Sequence, residues 1–279
     1  MDAALYVVAT PLGNLGDITL RALDVLRSVD AVAAEDTRLT RQLLSHYDIH
    51  AHLISLHEHN EERSAAGIIR MLTEGRAVAY VTDAGTPAIS DPGALLVSQV
   101  REAGLRVVPI PGPSAVTAAL SAAGIGAAQF LFYGFLPSKA GARREALAGL
   151  AALPYALVFY EAPHRVLETF EDMVQVLGGE RGLVIAREIT KLFETFHRCA
   201  LGEASAWLSA DANRLKGEFV LIVEGAASPR DHAVEEAERV LRILLGELPL
   251  KQAVQLAAEI TGAKRNALYD RALELKKAD

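Results

Sequence analysis

The chain has 279 residues, 51% of them hydrophobic, with 28 basic and 35 acidic side chains and a formal net charge of −7. That length and apolar content support a sizeable core in about two domains and exclude disordered and fibrous classes. The acidic balance provides no global field for nucleic acid. A lone Cys199 excludes an intramolecular disulfide and a cysteine-cluster metal site, and no leader pattern or long apolar run is present, so a soluble, cytoplasmic protein is expected.

In chain order, apolar runs that read as buried strands alternate with amphipathic segments that read as helices. Leu5 to Ala9 leads into the turn Thr10 to Asp17 and a helix over Thr19 to Ser28. Ala31 to Ala34 precedes Glu35-Asp-Thr-Arg38 and a helix over Leu39 to His46; Glu61 to Thr73 is helical. Val78 to Thr82 runs into the turn Asp83 to Gly93 and a helix over Pro92 to Ala103, and Arg106 to Pro109 into Pro109 to Ser114 and a helix over Ser114 to Ala122. This alternation predicts a mostly parallel sheet covered on both faces, and its three proline- and glycine-rich turns mark strand ends converging on one cleft.

A second set of strands follows: Phe130 to Tyr133, Ala156 to Glu161, Leu183 to Arg187, Phe193 to Leu201 and Glu218 to Glu224, with antiparallel pairing expected among the later ones. Pro163 marks a further helix start. Beyond Gly225 three helical segments remain, Asp231 to Leu244, Leu250 to Thr261 and Arg265 to Lys276, the last two with a local excess of positive charge. The reading is an α/β protein with domains at 1–117 and 118–227, hinged near Gly112, and a helical extension at 228–279.

The turns exclude some chemistries. Gly13 and Gly16 lack the third glycine of a dinucleotide fingerprint, and no Gly-Lys-Ser/Thr phosphate loop is present. Gly85, Pro87 and Pro92 shape a loop able to hold an adenosine-like ligand through backbone groups, with Thr86, Ser90 and Asp91 beside the prolines. Ser114 reads as a helix cap or a ligand contact. His57-Glu-His59 invites a metal reading, but the helix start that follows breaks the strand geometry two such ligands need, so no metal is expected.

Taken together, Ala9-Thr-Pro-Leu-Gly-Asn-Leu-Gly-Asp17, Glu35-Asp-Thr-Arg38, His57-Glu-His-Asn60, Val81-Thr-Asp-Ala-Gly-Thr-Pro-Ala-Ile-Ser-Asp-Pro-Gly93, Pro111-Gly-Pro-Ser114, Phe132-Tyr-Gly-Phe-Leu-Pro137, Phe159-Tyr-Glu-Ala-Pro-His-Arg165 and Arg187-Glu-Ile-Thr-Lys191 resemble the tetrapyrrole methylase superfamily. Within it they resemble the ribosomal RNA small subunit methyltransferase I family, whose tail the segments Ala257 to Gly262 and Lys264 to Tyr269 also resemble. The resemblance implies two α/β domains of the class III methyltransferase type, S-adenosylmethionine in their cleft, a homodimer, and 2'-O-methylation of a cytidine ribose in 16S ribosomal RNA of the small subunit. By matching position the cofactor would touch Pro11, Leu12, Gly85, Thr86, Pro87, Ile89, Ser114, Ala115, Tyr160, Ala186 and Glu218.

Methyl transfer to a hydroxyl needs alignment and a proton acceptor. The candidates are Asp36, Glu161 and His164, with Arg187 at the same cleft and Arg38, Arg165, Lys264 and Arg265 offered to RNA. A tetrapyrrole or other small acceptor on the same scaffold, and a non-enzymatic RNA-binding module, are the alternatives.

Overall fold

The computed structural model describes residues 1–57, 61–126, 129–226 and 229–278, leaving aside the side chains of 229–235 and 276–278. The expected boundary at 227–228, and Glu58, His59 and Asn60 of the histidine-bearing segment, lie outside the described residues. The chain forms two compact units, Met1–Ala151 with Tyr155–Glu224, and Ala152–Pro154 with Gly225–Asp279.

The larger unit contains both sheets. The first comprises β1 (Leu5–Val8), β2 (Ala31–Ala34), β3 (Leu53–Ser55), β4 (Val78–Val81) and β5 (Val107–Ile110), all parallel in the order β3-β2-β4-β1-β5. Its helices are α1 (Leu20–Ser28), α2 (Thr37–His46), α3 (Glu61–Thr73) and α4 (Ala94–Glu102). Side chains alternate across each strand, so β4 supplies Ala79 and Val81 to one core with Leu26 and Leu44, and Val78 and Tyr80 to the other with Ile68 and Leu96. Burial on both faces explains why these strands read as continuous apolar runs. Pro109 is tolerated in β5 because that strand is an edge. The short β3 has no such run, and the sequence reading passes over it.

Next, α5 (Ala115–Ala123) follows β5 but packs on the second sheet, where Val116 and Ala119 meet Val158, Val184 and Val220. That sheet comprises β6 (Phe130–Phe135), β7 (Ala156–Glu161), β8 (Gly182–Arg187), β9 (Thr195–Ala200) and β10 (Phe219–Val223), ordered β6-β7-β10-β8-β9; only β6 and β7 pair in parallel. The helices α6 (Ala140–Leu150) and α7 (Val166–Leu177) are tied by a buried ion pair, Arg143 Nε to Asp172 Oδ2 at 2.6 Å, and α8 (Ala204–Ser209) lies between β9 and β10. α7 begins at Val166, past the expected Pro163.

The smaller unit is a bundle of α9 (Pro229–Glu247), α10 (Leu250–Thr261) and α11 (Arg265–Ala278) around Leu241, Val254, Ala257 and Leu268. Among the described residues no helix is long and apolar enough to cross a membrane.

A carboxylate from a different helix caps α4: Glu61 Oε1 accepts hydrogen bonds from the backbone amides of Gly93 (3.1 Å) and Leu96 (3.0 Å). Gly93 has φ +116°, and a Cβ there would lie 2.2 Å from the Tyr80 ring. Replacing Glu61 with Ala is expected to cost about 1–2 kcal/mol, read as a lower denaturant midpoint with unchanged slope. Gly93→Ala should cost more than that.

Candidate active site

Strand ends from both sheets line one cleft with a cavity volume of about 570 Å³. The turns after β1 and β4 are locked by reciprocal backbone hydrogen bonds, Thr10 N to Gly85 O at 2.9 Å and Gly85 N to Thr10 O at 3.0 Å, while Thr10 Oγ1 donates to Thr82 O at 3.0 Å. The Thr86 hydroxyl donates to Pro113 O at 3.0 Å and so joins the turn after β5. The expected convergence of three turns is therefore a set of named bonds. Gly85 is needed there, since its φ is +79° and a Cβ would lie 3.2 Å from Leu12 Cδ2. The following loop holds Ala88 (φ 65°) and Ser90 (φ 60°) in left-handed conformations that cost side-chain-bearing residues about 1 kcal/mol or more each. Gly134 in the bulged strand β6 lets Ser90 approach, because a Cβ there would sit 2.6 Å from Ser90 Oγ.

The floor is acidic. Asp36 N donates to Asp83 Oδ1 (3.0 Å) and Asp83 N to Glu35 Oε2 (3.4 Å), so the carboxyl ends of β2 and β4 brace each other. Burial raises the Glu35 carboxyl above its ordinary range, opposed by the Asp83 amide and assisted by the charges of Asp83 and Asp36. Burial raises Asp83 in the same way. Asp91 is pushed up to about 6 by burial and then by Glu35, with the Thr82 hydroxyl pulling it back. Facing these groups are Leu12, Ile89, Phe135 and Val220. The cleft thus combines apolar walls with a carboxylate-bearing floor, suited to a ligand with an aromatic portion and positive charge.

Of the residues expected at a cofactor, Leu12, Gly85, Thr86 and Ile89 line the cleft from the first sheet's turns. Ser114 and Ala115 line it at the start of α5, and Tyr160 and Glu218 from the second sheet. Pro11, Pro87 and Ala186 are buried and are not in its lining.

The expected catalytic set divides. Glu161 and His164 line the cleft, and His164 is exposed there. Glu161, however, accepts hydrogen bonds from Thr169 Oγ1 (2.6 Å) and Ala162 N (2.8 Å) and is ion-paired to Arg165 Nε at 3.3 Å. Asp36 lies outside the cleft lining: it caps α2 through Arg38 N (2.8 Å), and hydrogen bonds from the Arg38 guanidinium hold it at about 2. Arg187 is buried and grips the carbonyls of Phe193 (3.1 Å), Lys216 (3.0 Å) and Asn213 (3.3 Å). Asp36, Glu161 and Arg187 are thus each engaged by partners within the fold, Glu161 in the cleft lining and Asp36 and Arg187 outside it.

Among the arginines and lysine offered to RNA, Arg165 Nη2 donates to Leu136 O (2.7 Å) and Pro137 O (3.2 Å), so it too is engaged within the fold. Arg38 is exposed beside the cleft, and Lys264 and Arg265 are exposed at the start of α11. Sequence reasoning placed Asp91 in the ligand-holding turn without a chemical role and assigned none to Glu35 or Asp83, whose signal was an acidic side chain just after a fully apolar strand. His57 lies close enough to Glu35 for its charge to be felt there, and among the described residues no cluster of three potential ligands could hold a metal ion.

Residues 4–205 match the family model described as Tetrapyrrole (Corrin/Porphyrin) Methylases, and residues 231–276 match the RsmI C-terminal HTH domain. The chain is 54% identical over 270 residues to the ribosomal RNA small subunit methyltransferase I of Escherichia coli O157:H7, covering 97% of this chain and 94% of that protein. It is 52% identical over 272 residues to the protein of the same name from Pseudomonas aeruginosa, covering 97% and 96%. Among solved structures it resembles the methyltransferase CobJ, with a TM-score of 0.61 at 20% identity over 80% of this chain and 95% of that one. Uroporphyrin-III-C-methyltransferase from Thermus thermophilus gives 0.59 at 21% identity over 80% and 94%.

Because Arg187 satisfies three backbone carbonyls from within the fold, Arg187→Met should lower stability by about 3 kcal/mol, measured by chemical denaturation. A variant as stable as the parent would return Arg187 to the cleft's chemistry.

Proposed function

The chain belongs to the tetrapyrrole methylase family and, within it, to the ribosomal RNA small subunit methyltransferases I; from that premise we propose that it transfers a methyl group from S-adenosylmethionine to the ribose 2'-hydroxyl of a cytidine in 16S ribosomal RNA. It is a methyltransferase. The observation that supports the donor and the site is the apolar-walled, carboxylate-floored cleft, because S-adenosylmethionine combines an adenine ring with net positive charge. Leu12 and Ile89 would hold it by apolar contact, the walls at Gly85, Thr86, Ser114 and Ala115 by close approach, and Glu35 and Asp83 by charge. When bound, the donor supplies a methyl carbon activated by a sulfonium.

The protein's task is then to align the acceptor oxygen, exclude water and accept one proton. Asp91 is the carboxylate suited to the last of these. It lines the cleft, and its raised pKa places it nearer the working range of a general base than the depressed Asp36. His164, exposed on the same wall, is the other group able to take the proton. Lys264 and Arg265 are assigned to RNA contact from the helical extension. The division into two α/β halves hinged near Gly112, the homodimer and the cytoplasmic setting belong to the same proposal.

Radiolabel from S-adenosylmethionine should appear on a cytidine ribose when the protein is incubated with small subunits lacking the modification. Label on a base, or none despite cofactor binding, would redirect the reading to another acceptor. Asp91→Asn should lower the single-turnover rate by about a hundredfold or more while the donor still binds. Since a base must be ionised to act, kcat/KM of the parent should fall about tenfold per pH unit below about 6 and level off above it. An unchanged rate in Asp91→Asn would pass the role to His164.

A further inference from the structure

Two depressions outside the cleft share a wall along α2. One, of about 590 Å³, is lined by Arg38, Arg41, Gln42, Ser45 and His46. The other, of about 490 Å³, is lined by Arg41 and Ser45 again, with His50 and His52 among the rest. Neither lining contains a carboxylate, and Asp48 in the intervening turn belongs to neither. Arg38, Arg41/Gln42 and Ser45 recur at helical spacing, so they share one face over about 10 Å of axis. All are exposed, and among the described residues Arg41 joins no ion pair. Three of the chain's eight histidines, His46, His50 and His52, lie on this surface. In a chain of net charge −7, this is a strip of cations and neutral hydrogen-bonding groups whose linings hold no acidic side chain; Arg38 is paired with Asp36 and feels Asp83, while Arg41 joins no ion pair among the described residues.

The strip is connected to the cleft at both ends of α2. At its start, Asp36 caps the helix directly after Glu35, which lines the cleft. At its end, the Tyr47 hydroxyl donates to the carbonyl of Leu15 in the first cleft turn. Inside the cleft the carboxylates of Glu35, Asp83 and Asp91 repel a polyanion, so a nucleic-acid strand whose sugar reaches the cleft must be gripped elsewhere by its phosphates. We infer that the α2 face, from Arg38 through Arg41 to His50 and His52, is the docking surface for the phosphodiester backbone of the RNA that presents the acceptor ribose. This rests on the proposed RNA substrate and adds where that RNA is held. The groups are exposed point donors in open depressions, with no buried cation shaped around one anion. That favours a run of hydrated phosphates over a single bound phosphate and makes the contact positioning, independent of base sequence.

The test is binding and single-turnover methylation by the full chain with small ribosomal subunits, at several salt concentrations and saturating S-adenosylmethionine. Arg41→Glu, alone and with His50→Glu, should weaken RNA affinity about tenfold or more near 0.1 M salt, and Arg41→Ala should flatten the log–log salt dependence by about one. Arg41→Lys should retain most of the affinity, because a phosphate contact needs charge more than shape. Arg70→Glu on α3, an exposed arginine on a helix that packs in the other core of the first sheet, controls for a general charge effect and should leave affinity unchanged. Donor affinity, measured separately by calorimetry, reports whether the variants remain folded.

If the parent binds and methylates RNA but the Arg41 and His50 variants match it in affinity and salt slope, the docking surface is overturned and the proposed function stands. If the parent binds S-adenosylmethionine but no ribosomal RNA, both fall. If inorganic phosphate at millimolar concentration competes as strongly as RNA, the strip is a single-anion site and the backbone reading fails.

Discussion

The cleft depends on one small piece of pairing, the two backbone hydrogen bonds between Thr10 and Gly85. They join turns that are remote in sequence and follow neighbouring parallel strands, and only a glycine fits at the second position without moving Leu12. Once these turns are joined, the Thr86 hydroxyl can reach Pro113 and bring in the third. The carboxylates of Glu35, Asp83 and Asp91 then occupy one cavity as a consequence of chain geometry, since Glu35 and Asp83 stand just past the carboxyl ends of β2 and β4 and the loop after β4 brings Asp91 back to the same cleft. Strained residues at Ala88 and Ser90 are tolerated because the surrounding loop is held from both sides.

Crowding like charges at low solvation has a cost that hydrogen bonds from the Asp83 and Asp36 amides and the Thr82 hydroxyl relieve only in part. Each of the three carboxylates is raised, which means that its ionised form is disfavoured in the free protein. A cationic ligand lowers that cost, and a neutral one does not. The arrangement also separates two tasks. The interior favours positive charge, and the surface along α2 favours negative charge.

Much of this was legible in the residues. Continuous apolar runs identified the buried strands of both sheets, and the turn residues marked where they converge. What escaped was decided by partners distant in the chain. Asp36 caps its own helix and is held by Arg38, Glu161 is bonded to Thr169 in the helix that follows, and Arg187 is wrapped by carbonyls from 193 to 216. A motif records that a residue type is required without recording whether chemistry or scaffolding requires it. Short β3 escaped for another reason: three residues on a sheet edge carry too little apolar sequence to announce themselves.

The position of β1 has a consequence for how the molecule is made. Leu5 pairs with Val78 on one side and Val107 on the other, so the earliest strand is an interior strand whose two neighbours are encoded far downstream. Such long-range parallel pairing carries a loop-closure penalty before any contact rewards it and slows folding. During synthesis the first strand must wait, its apolar edges bare, until more than the first hundred residues have emerged. The nascent chain therefore passes through a long interval in which an apolar strand is exposed to misassembly.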